Sequence, residues 1–242
     1  MPGNADKKDA LVPNHVAVIP DGNRRWAKSH RLDLLHAYDL GIKKFITISE
    51  WLNQLGVKTL TAWALSSDNV KNRSKTELNI LYSLYIKAVE DKKVIDVLKK
   101  NRTHVNIIGD LSLIPLKVRK SLHKLEVLTK DYNSSTVNLL VAYGGKEDLL
   151  YAVKNISSKC VAAGRVLEIN SEELQRNLIT AKIPEVDLII RTSGEKRISG
   201  MLPWQGAYAE LYFSKKYWPE FDKRDLKGAL DWFSKRKRRF GK

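Results

Sequence analysis

The sequence predicts an α/β chain: one domain with a central, mostly parallel six-stranded sheet covered by helices. Three observations predict it. Short apolar runs rich in valine, isoleucine and leucine alternate with longer segments whose apolar residues recur at helical spacing. No repeat, linker or low-complexity stretch interrupts the alternation, and 242 residues suffice for one sizeable core. The segments richest in charge, glycine and hydroxyls (residues 21–25, 66–73, 143–145 and 191–199) all fall just past predicted strands. In an open parallel sheet those carboxyl ends share the edge where ligands bind.

Residues 1–13 are too polar for a signal peptide and are expected to form a flexible tail before a domain spanning 14–242. His15-Val-Ala-Val-Ile-Pro20 is the first strand. Ile42, Phe45, Ile46, Leu52 and Leu55 mark a helix that Gly56 stops. Thr59-Leu-Thr-Ala-Trp-Ala64 reads as a buried second strand, and polar residues 66–75 as a loop. Ser74 and Glu77 form a capping box opening a helix that runs to about Leu98 and buries Leu81, Leu84, Tyr85 and Ala88. A third strand at 105–108 closes at Gly109-Asp110. Pro115 then suits the first turn of a helix carrying Val118, Leu122 and Leu125. A fourth strand at 137–141 ends at Tyr143-Gly-Gly145. Helices near 147–159 and 171–180 lead to a fifth strand at 186–190. Residues 191–202 read as a mobile loop, 209–213 as the sixth strand, and Leu226, Ala229, Leu230 and Phe233 as the last helix.

Composition narrows the partners. Lys and Arg number 43 against 27 Asp and Glu, a net charge of +16. Such a surface attracts polyanions: nucleic acid, anionic lipid headgroups or phosphorylated substrates. The single cysteine, Cys160, excludes an internal disulfide framework and a multi-cysteine zinc site, and suggests a cytoplasmic, reducing compartment. No stretch approaches transmembrane length. Neither a P-loop nor a dinucleotide fingerprint is present. Nucleic acid is not an expected partner, because no basic stripe with stacking aromatics and no groove-reading motif accompanies the charge.

The first strand hands over to Asp21-Gly-Asn-Arg-Arg-Trp-Ala-Lys28. Gly22 permits close backbone approach, and Arg24 and Arg25 bring forked donors suited to phosphate. A carboxylate tolerates an anion beside it only when a cation lies between, so Asp21 points to Mg²⁺ shared with a diphosphate. Asp-Gly-Asn is equally ordinary turn chemistry. Residues 191–199 place Arg191, Arg197 and hydroxyls in one loop, which suits a diphosphate or, equally, a solvated basic surface. Glu210 sits in an apolar strand, where its carboxylate needs either an arginine or a metal; company for Asp21 favours the metal.

Taken together, these residues resemble the cis-prenyltransferases, the family of undecaprenyl diphosphate synthase. The resemblance runs from about His15 to Gly241. It is carried by residues 15–28, by Ser66-Ser-Asp-Asn69, by Tyr143-Gly-Gly145, by Val186-Asp-Leu-Ile-Ile-Arg-Thr-Ser-Gly-Glu195 with Arg197-Ile-Ser199, by Trp204-Gln-Gly-Ala-Tyr-Ala-Glu-Leu-Tyr-Phe213 and by Arg238-Arg-Phe-Gly241. It implies Mg²⁺-dependent joining of an allylic isoprenyl diphosphate to isopentenyl diphosphate, with a cis double bond, in a fold with a hydrophobic tunnel. By the same resemblance Asp21 holds Mg²⁺ against a diphosphate, with Glu210 as a second metal-side carboxylate. Gly22, Asn23, Arg24 and Arg25 cradle the allylic diphosphate, joined on that side by Trp26, Tyr38, Ser66, Ser67, Asp68 and Arg73. Asn69 assists proton removal. Arg191, Arg197 and Ser199 clamp isopentenyl diphosphate, and Arg239 and Gly241 belong to a tail motif that reaches a partner's site in some dimers. A homodimer is expected, as is peripheral membrane contact through the lipid product and the basic surface.

Departures from the family pattern cluster on the allylic side. The Arg-x-x-Gly-His window is Leu34-Leu-His-Ala-Tyr38 here, and the aromatic-Ser-x-Glu-Asn-Trp-x-Arg-Pro loop is Leu65-Ser-Ser-Asp-Asn-Val-Lys-Asn-Arg-Ser74. Lys196 replaces a histidine and Ser193-Gly194 a glycine pair. Three readings follow: ordinary head-to-tail elongation, non-head-to-tail condensation using dimethylallyl diphosphate as acceptor, and a weakly active partner subunit. Retention of Asp21, Asn23, Arg25, Arg191, Arg197 and Ser199 argues against the last.

Overall fold

The computed structural model describes residues 11–237. Six strands form one sheet: β1 (His15–Ile19), β2 (Thr59–Ser66), β3 (Thr103–Ile108), β4 (Ser135–Tyr143), β5 (Leu188–Arg191) and β6 (Glu210–Phe213). Their order is β3-β4-β2-β1-β5-β6, and every pairing is parallel. Helical crossovers join the strands: α1 (Asn23–Ser29) and α2 (Leu34–Gln54), α3 (Ser67–Asn72), α4 (Lys75–Glu90) and α5 (Lys92–Lys100), α6 (Leu116–Thr129), then α7 (Gly145–Ala163) and α8 (Ser171–Asn177). A final helix, α9 (Lys223–Ser234), follows β6. From β1 the chain winds out through β2 to β3 at the edge, places β4 between β3 and β2, then crosses over β2 and β1 to β5. The direction of winding therefore reverses between β1 and β5, and their carboxyl ends flank a crevice. Of the expected N-terminal tail, residues 1–10 lie outside the described residues, and Pro13 is already buried. Among the described residues no helix is long and apolar enough to cross a membrane.

Four local expectations need correction. Residues 67–72 are a helix, because Ser66 Oγ accepts from the Asn69 N–H at 3.0 Å while Asp68 and Lys71 match the helix dipole at either end. The helix expected to run to Leu98 breaks at Asp91, whose side chain caps α5 by accepting from the Lys93 N–H. Only half of the Ser74–Glu77 capping box forms. Ser74 Oγ accepts from the Glu77 N–H, but the Glu77 carboxylate is used elsewhere. The loop after β5 is anchored rather than free, since Met201 and Leu202 are fully buried against Ile183 and Ile189.

A chain of polar side chains crosses the buried sheet. Backbone carbonyls of Pro184 and Glu185 accept from His15 Nδ1, so Nε2 accepts from Thr61 Oγ1 at 2.7 Å. Asn138 Nδ2 donates to Thr61 Oγ1 at 3.0 Å, and Asn106 Nδ2 to Asn138 Oδ1 at 2.9 Å. Burial holds the His15 imidazole below its ordinary value of 6.5, although the two carbonyls and Asp187 oppose the shift. The unfolded chain therefore binds this proton more readily than the folded one. Stability is retained at neutral pH and falls as pH drops below about 6.5, by at most roughly 1.4 kcal/mol per pH unit from this group. Urea denaturation between pH 7 and pH 5 should show that slope, and His15→Gln should flatten it. An unchanged slope would remove His15 from the acid limb.

Candidate active site

The turn after β1 is clamped from two sides. Thr192 Oγ1, just past β5, donates to the Asp21 carbonyl at 2.7 Å, and the Trp218 N–H donates to the same oxygen at 3.0 Å. Gly22 has φ 102°, and a Cβ there would lie 2.5 Å from Tyr217 Cδ1 and 2.9 Å from Ser193 Cβ, so only glycine fits. This brings the Asp21 carboxylate between two guanidinium groups. Arg191 Nη2 donates to Oδ2 at 2.8 Å and Arg25 Nη2 to Oδ1 at 3.2 Å. Burial pushes the Asp21 carboxyl up, but Arg191 and Arg25 together outweigh it and hold the group below its ordinary range. Asp21 is an anion at neutral pH.

Arg191 is the hub of the crevice. It is 5% exposed, and its Nη1 donates to Ser199 Oγ at 2.8 Å and to the Arg197 carbonyl at 2.6 Å. Its Nε is buried without a partner among the described residues. The arginine expected to grip a diphosphate thus also ties the loop to the sheet.

Two polar cavities meet here. One of about 400 Å³ is lined by Asp21, Asn23, Arg24, Tyr38, Ser66, Asp68, Asn69, Arg73, Arg191, Arg197 and Ser199, among others. The second, of about 530 Å³, adds Gly22, Arg25, Lys28 and Glu195. Asn69 comes from the first turn of α3, and its carboxamide has no protein partner among the described residues. Five cations, Arg24, Arg25, Lys28, Arg73 and Arg197, face the larger cavity against two carboxylates. The charge excess suits a multiply charged anion.

Between the cavities stands a cluster built on Glu77, which is 8% exposed. Tyr38 Oη donates to Glu77 Oε1 at 2.5 Å, and Arg73 Nη1 lies 3.2 Å from both Tyr38 Oη and Glu77 Oε1. Burial drives the Tyr38 phenol well above its ordinary value, with Arg73 opposing. Tyr38 is a neutral donor at working pH.

Three expected site residues do not join this group. Trp26 is packed against Ala27 and Ala37 and stacked on His30 at 4.5 Å, lining neither cavity. Ser67 is buried and bonds Glu147 instead. Glu210 begins β6 opposite Leu188, which is itself level with Val16, five residues before Asp21. It lies toward the amino ends of the strands, where Arg236 Nε donates to it at 3.3 Å. Of its two open alternatives, this structure therefore places Glu210 with the arginine, away from Asp21. Arg239 and Gly241 lie outside the described residues. Sequence reasoning assigned no site role to Lys28, Glu77 or Glu195. Lys28 and Glu195 lay within quoted motifs, but Glu77 looked like a cap.

An apolar cavity of about 100 Å³ lies between the sheet and α2, α4, α5 and α6, and it falls short of the expected hydrophobic tunnel. It shares Ile42, Phe45, Ala64 and Tyr85 with the 400 Å³ cavity.

A metal's fit follows from the donors present. Among the described residues no three metal-binding side chains stand together. One carboxylate within a ring of arginines does not make a cage for a resident ion, but it fits Mg²⁺ arriving with a diphosphate, since Mg²⁺ is often held by one or two carboxylates plus substrate phosphates.

Comparisons with known proteins agree with this geometry. A family model described as "Putative undecaprenyl diphosphate synthase" matches residues 19–241. An isoprenyl transferase of Thermotoga maritima is 40% identical over 230 residues, covering 95% of this chain and 97% of that protein. A tritrans,polycis-undecaprenyl-diphosphate synthase (geranylgeranyl-diphosphate specific) of Thermoplasma acidophilum is 38% identical over 231 residues, covering 95% and 89%. The crystal structure of lavandulyl diphosphate synthase from Lavandula x intermedia, in complex with dimethylallyl diphosphate, superposes with a TM-score of 0.90 at 34% identity, covering 96% of this chain and 99% of that one. With a family model spanning nearly its whole length and relatives of this similarity, the chain belongs to the cis-prenyltransferase family.

Proposed function

We propose that the chain transfers the prenyl group of an allylic isoprenyl diphosphate to isopentenyl diphosphate, releasing diphosphate and forming a cis-polyprenyl diphosphate. The observation that carries the proposal is Asp21 held between Arg25 and Arg191 where two cationic cavities meet, one of them sharing wall residues with an apolar cavity. A substrate with a polyanionic head and an apolar tail matches that arrangement.

Ionisation of the allylic C–O bond builds charge on the leaving diphosphate, and donors already aimed at that charge lower the barrier. Arg24, Arg25, Lys28 and Arg73 surround the space for the leaving group. Bound Mg²⁺, held by Asp21 and diphosphate oxygens, would neutralise part of the same charge. Arg197 and Ser199 orient the second diphosphate beside Arg191, and Asn69, which lines the same cavity, assists loss of the proton when the new double bond forms. Ile42, Phe45 and Tyr85 keep water from the allylic tail. A homodimer belongs to the same proposal, supported by the exposed Leu150, Tyr151 and Val153 on α7. So does peripheral membrane contact, supported by the net charge of +16.

A second reading, condensation onto dimethylallyl diphosphate, is favoured by Leu34 and Tyr38 standing where an arginine and a histidine are expected, and by the likeness to lavandulyl diphosphate synthase. One assay separates the two. Purified protein with Mg²⁺ and labelled isopentenyl diphosphate is offered dimethylallyl, geranyl, farnesyl and geranylgeranyl primers, and products are sized by chromatography. Elongated cis products support the first reading. A branched ten-carbon diphosphate from dimethylallyl diphosphate alone supports the second. No product in any arm overturns both.

A further inference from the structure

Among the described residues Glu195 is the one carboxylate besides Asp21 that lines the larger cationic cavity. Its Oε1 accepts from Arg25 Nη1 at 2.9 Å, and its Oε2 accepts from Arg197 Nη1. A single side chain thus spans an arginine on α1 and an arginine on the loop after β5. The loop is shaped to hold it there. Ser193 and Gly194 have φ 73° and 77°, and their N–H groups donate to the carbonyls of Lys216 and Ser214 at 2.6 and 2.8 Å. Ser193 Oγ accepts from Arg25 Nη2 as well.

We propose that Glu195 is a built-in stand-in for diphosphate, bridging the arginines of the two substrates until an incoming diphosphate displaces it. The inference rests on the reading above, in which Arg25 serves one diphosphate and Arg197 the other. Three observations support displacement over permanent pairing. All three side chains reach solvent, with exposures of 44% for Arg25, 59% for Arg197 and 29% for Glu195, so the bridge is weak and reversible. Arg25 and Arg197 guard the diphosphate cavity itself, so any anion that enters competes for the same N–H groups. The Asp21–Arg191 pair behind them is anchored differently, through an arginine only 6% exposed. Arg197, then Arg25, hold the Glu195 carboxyl below its ordinary range, so the competitor stays ionised at neutral pH.

The bridge carries a cost and a benefit. Each diphosphate must break one of its arms, which weakens ground-state binding. The same arm can re-form behind a departing diphosphate, which speeds release. Removing the carboxylate should therefore tighten binding and slow turnover together. The test uses inorganic pyrophosphate and isothermal titration of the full chain, wild type against E195Q and E195A, beside steady-state kinetics with isopentenyl diphosphate. Pyrophosphate should bind both variants about three- to tenfold more tightly than wild type, with kcat and KM for isopentenyl diphosphate both lowered. Thermal unfolding monitors the fold of each variant. Weaker or unchanged pyrophosphate affinity in both variants overturns the proposal, as does an absence of binding to all three proteins. Tighter binding in a chain that makes no prenyl product would instead overturn the reaction assigned above while leaving Glu195 as an anion stand-in.

Discussion

Asp21→Ala should abolish prenyl transfer, lowering kcat by about 10²–10³-fold or more while the fold survives. The activity loss follows from position. Among the described residues Asp21 is the only carboxylate common to both polar cavities, and the leaving diphosphate needs whatever cation it holds. Survival of the fold follows from the partners left behind. Arg25 is 44% exposed and keeps Glu195 and Ser193, while the buried Arg191 keeps Ser199 and the Arg197 carbonyl. Breaking a fully buried pair costs more, but the Asp21 side chain is 28% exposed, so a loss of about 1–3 kcal/mol is expected. That is well below the stability of a typical domain. Circular dichroism and turnover measured on one preparation check both halves. Full turnover at saturating Mg²⁺ would remove Asp21 from the mechanism.

Arg191→Ala should be the more damaging change to the protein as a whole. It strips three hydrogen bonds at once and leaves Asp21 Oδ2, Ser199 Oγ and the Arg197 carbonyl without their donor. Stability should fall by about 2–4 kcal/mol, more than for Asp21→Ala, because three hydrogen bonds are lost at once together with the packing of a buried side chain. The loop over residues 195–200 should become the first site of limited proteolysis, since its middle loses the Arg191 tether while Ser193 and Gly194 at one end and Met201 and Leu202 at the other stay held. The specificity constant kcat/KM for isopentenyl diphosphate should drop by at least about 100-fold. A variant that melts with wild type and resists protease would show that the loop is held by something other than Arg191.

The sheet was legible because every strand is a short apolar run bounded by turn residues. Strand ends moved by up to two residues; β4, for example, extends to Tyr143. What could not be read has specific causes. Helix α3 has no apolar face, so only its Ser66 cap and end charges betray it. Trp26 and Ser67 sit inside matching motifs yet point into packing, and a motif does not record which way a side chain turns. That Glu210 meets Arg236 rather than Asp21 in this chain could not be read, because a linear sequence gives a strand residue's neighbours but not its level along the sheet. Glu195 escaped notice because, among arginines and hydroxyls, one acid looks like charge balance. Its bridging role appears only when Arg25, 170 residues away, is brought beside it.

The polar ladder across the sheet bears on how these strands find their alignment. His15 and Thr61 are 46 residues apart, and Thr61 and Asn138 are 77 apart, so neither contact forms locally. A slip of one residue between two parallel strands would turn these side chains to the opposite face. A slip of two would keep the face but leave a buried amide or hydroxyl unmatched, costing about 1–3 kcal/mol per group. Apolar neighbours such as Val16, Leu60 and Val137 would tolerate such a slip far better, one aliphatic contact replacing another. The ladder thus acts as a checksum on the alignment of β1, β2, β4 and β3, the four strands that its side chains join.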